Sequence, residues 1–171
     1  MKLYRLAVLS LLLTGCLSGP NWEIHSDDKL NNPLLKHESV GVQVPTDGRY
    51  ETYVYEGSGI KTAIVFEEEF RKHDIKAELL YCSDKDCAQI AADKMLGYLF
   101  TLEIMHWEER QTSWSARTDR LTIKVTVIDS ATGAQLASAY LQGVGTRKTL
   151  GGEHVEDLLP GLVSKYVSSL Y

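Results

Sequence analysis

Long apolar runs are scarce in this sequence, and so are cysteine, proline and blocks of one charge. The apolar stretch near the start, Leu6-Ala7-Val8-Leu9-Ser10-Leu11-Leu12-Leu13, falls far short of the ~20 residues a spanning helix needs. Three cysteines in 171 residues exclude a small scaffold held together by disulfides. Lys and Arg nowhere cluster and the formal net charge is −5, which excludes a nucleic-acid binder and electrostatic attraction to anionic lipid. No Gly-x-Ser-x-Gly elbow, phosphate loop or His-Glu-x-x-His is present, so the usual hydrolase and nucleotide signatures are missing. His106, His154 and Asp119 lack compact ligand spacing, so neither a metal nor another cofactor is expected.

What the sequence does contain begins at its start. Lys2 and Arg5, a short apolar run and the small-residue site Leu13-Thr14-Gly15-Cys16 have the order of a bacterial lipoprotein signal peptide. Residues 1–15 are read as that leader and Cys16 as the lipid-attachment residue. Acyl chains bury ~0.8 kcal/mol per CH₂, so a triacylated Cys16 gives a practically permanent membrane anchor. Leu17 stands where inner-membrane retention usually requires Asp, so sorting to the outer membrane, on its periplasmic face, is expected. Without Lys2 and Arg5 the net charge of −5 falls by two, to about −7. Cys82 and Cys87 would lie in an oxidising compartment, where two leftover thiols usually pair.

Residues 16–38 are read as the lipidated cysteine and a flexible tether, because they show no sustained period and are broken by Gly19, Pro20, Asn31, Asn32 and Pro33. Residues 39–171 are read as one α/β (α+β) domain. Val40, Val42 and Val44 alternate as a strand, and Ser58 is a candidate cap for a helix over 59–73. A strand over 75–81 and a helix from Cys87 to Gly97 follow. The strand at 98–107 is expected to place Phe100, Leu102 and Ile104 on one face, with Thr101, Glu103, Met105 and Trp107 on the other. Ile123, Val125 and Val127 alternate in a fourth strand, and Asp129-Ser130-Ala131-Thr132-Gly133 turns the chain into a fifth. A final helix, starting near Asp157 so that Pro160 falls in its first turn, completes the order β-α-β-α-β-β-β-α. The expected architecture is a mixed five-stranded sheet with about three packed helices.

The densest polar cluster joins the third and fourth strands, from His106 to Arg120. His106, Trp107, Glu108, Arg110, Trp114 and Arg117 are its candidate surface residues. Trp and Arg dominate protein interfaces, Trp also stacks on sugar rings, and the same residues in a long hairpin can equally be packing and rim ion pairs. These readings stay open on sequence alone. Trp114, beyond the regular strand, is expected to be more exposed than Trp107.

Five stretches carry a family resemblance: Val44-Pro45-Thr46-Asp47-Gly48-Arg49-Tyr50, Tyr55-Glu56-Gly57-Ser58-Gly59, Ile104-Met105-His106-Trp107-Glu108-Glu109-Arg110, Trp114-Ser115-Ala116-Arg117-Thr118-Asp119-Arg120 and Gly151-Gly152-Glu153-His154. Over residues 38–171 the chain resembles the proteobacterial lipoprotein family known as domain of unknown function 4823. Its element order is loosely similar to the amino-terminal domain of TolB and to the curli secretion lipoprotein, which are envelope proteins that bind other proteins or assemble into rings. The resemblance implies a non-enzymatic accessory or assembly factor that binds an envelope protein. A glycan-binding module for peptidoglycan or exported polysaccharide, using the Trp-rich hairpin, is the alternative, and assembly into a homo-oligomer is an open possibility.

Overall fold

Period-two alternation builds most of the sheet. The computed structural model describes residues 19–82, 86–109, 118–146 and 154–171. Within them the chain forms β1 (Asn21–Asp28), β2 (Val40–Gln43), β3 (Arg49–Tyr50), β4 (Tyr53–Val54), α1 (Ser58–Lys72), β5 (Ala77–Leu80), α2 (Cys87–Asp93), β6 (Tyr98–Glu108), β7 (Arg120–Asp129), β8 (Gln135–Val144) and α3 (Val155–Ser168). The main sheet is mixed, in the order β1-β8-β7-β6-β2-β5, with β3 and β4 forming a separate two-stranded hairpin. β2 runs parallel to β5 and β6, while β6, β7, β8 and β1 are joined antiparallel. The α+β class matches the expectation, and from residue 40 onward the order differs from it by the short β3–β4 hairpin between β2 and α1.

One face of the sheet meets α1 and α3. Val40, Val42, Phe100, Ile123, Val125, Val127 and Leu141 are fully buried there with Phe66 and Phe70 of α1 and Leu158, Leu162 and Val163 of α3. The ring centroids of Phe70 and Phe100 lie 4.8 Å apart, edge to face. The other face is shared. α2 covers one part through Leu80, Cys87, Ala91, Leu96 and Leu99. Thr122, Lys124 and Thr126 remain half-buried on the uncovered part, so β7 keeps one polar side.

Three expectations need correction. The sheet has six strands, because residues 21–28 of the expected tether form β1 along β8. Only Trp22 and Ile24 carry its inward pattern, and an edge strand paired on one side needs little more. The last helix starts at Val155, two residues before Asp157; the Asp157 carboxylate accepts the His154 backbone N–H at 2.9 Å. Pro160 therefore sits inside the helix, with no N–H to give the preceding turn. Ser58 is not the cap of α1: Gly57 holds that position, and Ser58 is the first residue of the helix.

Cys82 and Cys87 are joined in a disulfide with Cα atoms 5.4 Å apart, stapling the end of β5 to the start of α2. Closing so short a loop is worth about 2 kcal/mol on chain-entropy arithmetic, so Cys82→Ser should lower stability by about that much in denaturant unfolding. Maleimide should label neither thiol under denaturing conditions without prior reduction; full labelling would contradict the bond.

Candidate functional site

α1 and α3 both begin at the end of the sheet where β2 stops and β6 turns toward β7, and the first residues of β1 lie there too. Asn21 pairs with Val144, Val144 with Arg120, and Arg120 with Glu108, so these four residues mark one pole of the domain. Helix amino-termini present unpaired N–H groups and partial positive charge, and carboxylates collect where two of them converge. The Asp47 carboxylate accepts the N–H of Gly57 at 3.1 Å and that of Gly59 at 2.8 Å, capping α1 from a preceding loop. Ser58 Oγ accepts the N–H of Gly48 at 2.7 Å, and the Tyr55 N–H donates to the Gly48 carbonyl at 3.0 Å. The loops at 44–50 and 55–59 are thereby locked together.

The β6 end joins this lock. Tyr55 Oη accepts the Glu109 N–H at 3.2 Å, and its ring lies 6.4 Å from that of Trp107. Tyr50 meets the His106 ring edge-on at 5.4 Å, and His106 Nε2 lies 3.2 Å from a Glu108 carboxylate oxygen. The start of α3 closes the circle: the His154 Nδ1 side bonds the Glu109 carboxylate, and Lys61 of α1 pairs with Glu156. Between these groups runs an open groove of about 500 Å³, lined by Tyr53, Tyr55, Glu56, Trp107, Glu109 and Glu156.

The structure corrects two candidate surface residues. Trp107 is 1% exposed and Glu108 3% exposed, so neither side chain is a surface residue. For Trp107 the cause is a β-bulge: the β6–β7 register shifts between Ile104 and His106, leaving Met105 unpaired. One extra residue reverses the parity of everything after it, so Trp107, opposite Leu121, turns to the face of Ile104 and Leu102. His106 remains half-exposed. Arg110, Trp114, Arg117 and Cys16 lie outside the described residues. The most exposed aromatic of the groove is Tyr53, at 64%, stacked edge-on against Tyr55 at 4.7 Å. Neither Tyr53 nor Glu156 was singled out in sequence. The stretches at 55–59 and 151–154 were the available signals, since they adjoin the residues that line the groove.

The Glu109 carboxylate, by hydrogen bond and then by charge, holds the exposed His154 imidazole above its ordinary pKa, with Asp157 and Asp119 adding smaller attraction. The protonated pair is therefore favoured at low pH, and its contribution is lost as pH rises through the folded-state pKa of His154. Glu109→Gln should bring the His154 pKa down toward the ordinary ~6.5 in an NMR titration. An unchanged midpoint would show that the two side chains do not meet.

In class, this is an α+β domain with a polar, aromatic-walled groove at the pole where two helices start. The model of the family described as Domain of unknown function (DUF4823) matches residues 32–170, and the chain belongs to that family. Among solved structures, the PelC dodecamer from Paraburkholderia phytofirmans is similar with a TM-score of 0.69 at 14% identity, over 88% of this chain and 97% of that one. A variant of that dodecamer in another crystal form gives 0.67 at 14% identity, covering 88% and 98%. Protein XCC0632 from Xanthomonas campestris gives 0.48 at 10% identity, covering 78% and 81%. At these identities the likeness is one of fold. No curated protein matches the chain.

Proposed function

We propose that the protein is a non-enzymatic accessory factor of the cell envelope, anchored to the periplasmic face of the outer membrane by lipid on Cys16, that works by binding another envelope component. The observation that carries this reading is the convergence at one pole. Residues from four of the five family stretches meet there (Asp47, Gly48, Tyr55, Ser58, His106, Glu109 and His154), and they build an open groove of aromatic and carboxylate side chains. A shallow, polar groove walled by Tyr suits a partner's surface better than it suits enclosure of a reacting small molecule. Among the described residues no helix is long and apolar enough to cross a membrane, which is compatible with attachment through lipid.

A photo-crosslinking residue placed at Tyr53 in cells should give a discrete adduct with an envelope component. The same residue at Asp93 of α2, outside the groove, should not. Equal capture at both positions, or none at Tyr53, would defeat the reading. A glycan partner is the second reading; with Trp107 buried, it rests on Tyr53 and Tyr55 as stacking rings, and an adduct that is polysaccharide would decide for it. Self-assembly belongs to the same proposal, because the similar PelC structure is a dodecamer. Light scattering of the lipid-free chain should then give a mass several times that of one chain.

A further inference from the structure

We infer that the groove-bearing pole is the membrane-facing surface of the domain, held against the lipid headgroup layer rather than turned toward the aqueous space. The inference rests on lipid attachment at Cys16, the anchor of the proposed function, and adds an orientation which that anchor alone does not give.

The argument is one of chain length. Residues 17–38 read as a tether would let the domain take any orientation at a long distance from the bilayer. The structure removes most of that length. β1 begins at Asn21 and is held in register along β8 from Asn21↔Val144 to Ser26↔Ala139. Trp22 fixes its start: its indole lies against Gly161 of α3, where an added Cβ would come within 2.2 Å of the ring, and its carbonyl accepts Lys165 Nζ at 3.0 Å. Only Leu17, Ser18, Gly19 and Pro20 separate Cys16 from this fixed strand. Five Cα–Cα steps span at most about 18 Å when fully extended.

The domain is longer than that. The eleven residues of β6 alone, running from the far pole to the groove pole, rise about 35 Å. Asn21 sits at the groove pole with Glu108, Arg120 and Val144, whereas the Asp129–Gly133 turn, the end of α1 and the end of α3 lie at the far pole. A leash of half the domain's height, attached at one pole, keeps that pole down. Among the described residues of this pole, Lys61 and His154 are each paired with a carboxylate. The short leash sets the orientation, and a component reaching the groove must approach along the bilayer surface.

The test uses the full lipidated chain in vesicles of phosphatidylethanolamine with a minor share of phosphatidylglycerol. A membrane-impermeant amine-reactive ester and residue-resolved mass spectrometry report each lysine. Lys61, at the start of α1, should react several-fold more slowly than in the soluble Cys16→Ser chain, while Lys72 and Lys76 at the far pole should be unchanged. A Gly/Ser insert of about 20 residues before Gly19, a coil of ~25 Å, should restore Lys61 reactivity without releasing the protein. Equal reactivity of Lys61 in vesicles and in solution overturns the orientation. Protection of Lys29, beyond the far end of β1, with Lys61 still reactive overturns it too, since the domain would then lie on its β1 edge. A wild-type chain that carries no acyl group and does not float with vesicles overturns the anchor itself, and the orientation with it.

Discussion

Trp107→Ala should lower the unfolding free energy by about 3–5 kcal/mol, the usual cost of deleting a fully buried aromatic side chain. The indole lies in the same core as Leu121, Ile104 and Leu102, and against the Tyr55 ring. Its loss would leave a cavity under the floor of the groove, bounded by sheet residues that cannot collapse into it without breaking the β6–β7 ladder. His106→Ala, one residue away on the opposite face and half-exposed, should stay within ~0.5 kcal/mol. Chemical denaturation of the two variants measures this contrast directly. Near-equal small losses would mean that the strand runs without the bulge and that Trp107 faces solvent.

The bulge also explains where sequence reading stops. The alternation in β7 and β8 and the helical spacing in α3 were legible because each is a repeat within one element, set by local geometry. Trp107 was placed on the wrong face because a period-two argument assumes an unbroken ladder, and no residue type announces that Met105 is the extra one. β1 was missed for a different reason. Its pairing partner lies over a hundred residues away, and six of its eight side chains are polar, so only Trp22 and Ile24 hint at a strand with one inward face. The groove itself joins residues distant in sequence: Glu109 with His154 across 45 positions and Lys61 with Glu156 across 95. The family stretches marked those segments, but their meeting at one pole follows from topology. α1 and α3 both start at the end where β6 finishes, and that needed the strand order.

The lock beneath the groove gives the second large effect. Gly59→Ala, inside the first turn of α1, should destabilise by about 2–3 kcal/mol, although Ala is the better helix former by ~1 kcal/mol. The sign is decided by space. A Cβ on Gly59 would stand 2.3 Å from the Pro45 carbonyl oxygen and 3.1 Å from Asp47 Oδ1. The first of these is backbone and cannot swing aside, so relief requires lifting the 45–48 loop away from the helix. That movement undoes the bonds from Asp47 to the Gly57 and Gly59 N–H groups and the one from the Gly48 N–H to Ser58 Oγ. Asp47→Ala removes the cap without the clash and should cost about 1–2 kcal/mol. Because the glycine substitution already sacrifices the Asp47 cap, the double variant should lose less than the sum of the two singles. Urea unfolding of the three variants measures these terms. A stabilised Gly59→Ala protein would place Pro45 away from the helix, and strict additivity would mean that Asp47 caps nothing at Gly59. If both results hold as expected, the first turn of α1 and the 45–48 loop form one unit, and the groove wall at Tyr55 is fixed by a clamp that only glycine permits at residue 59.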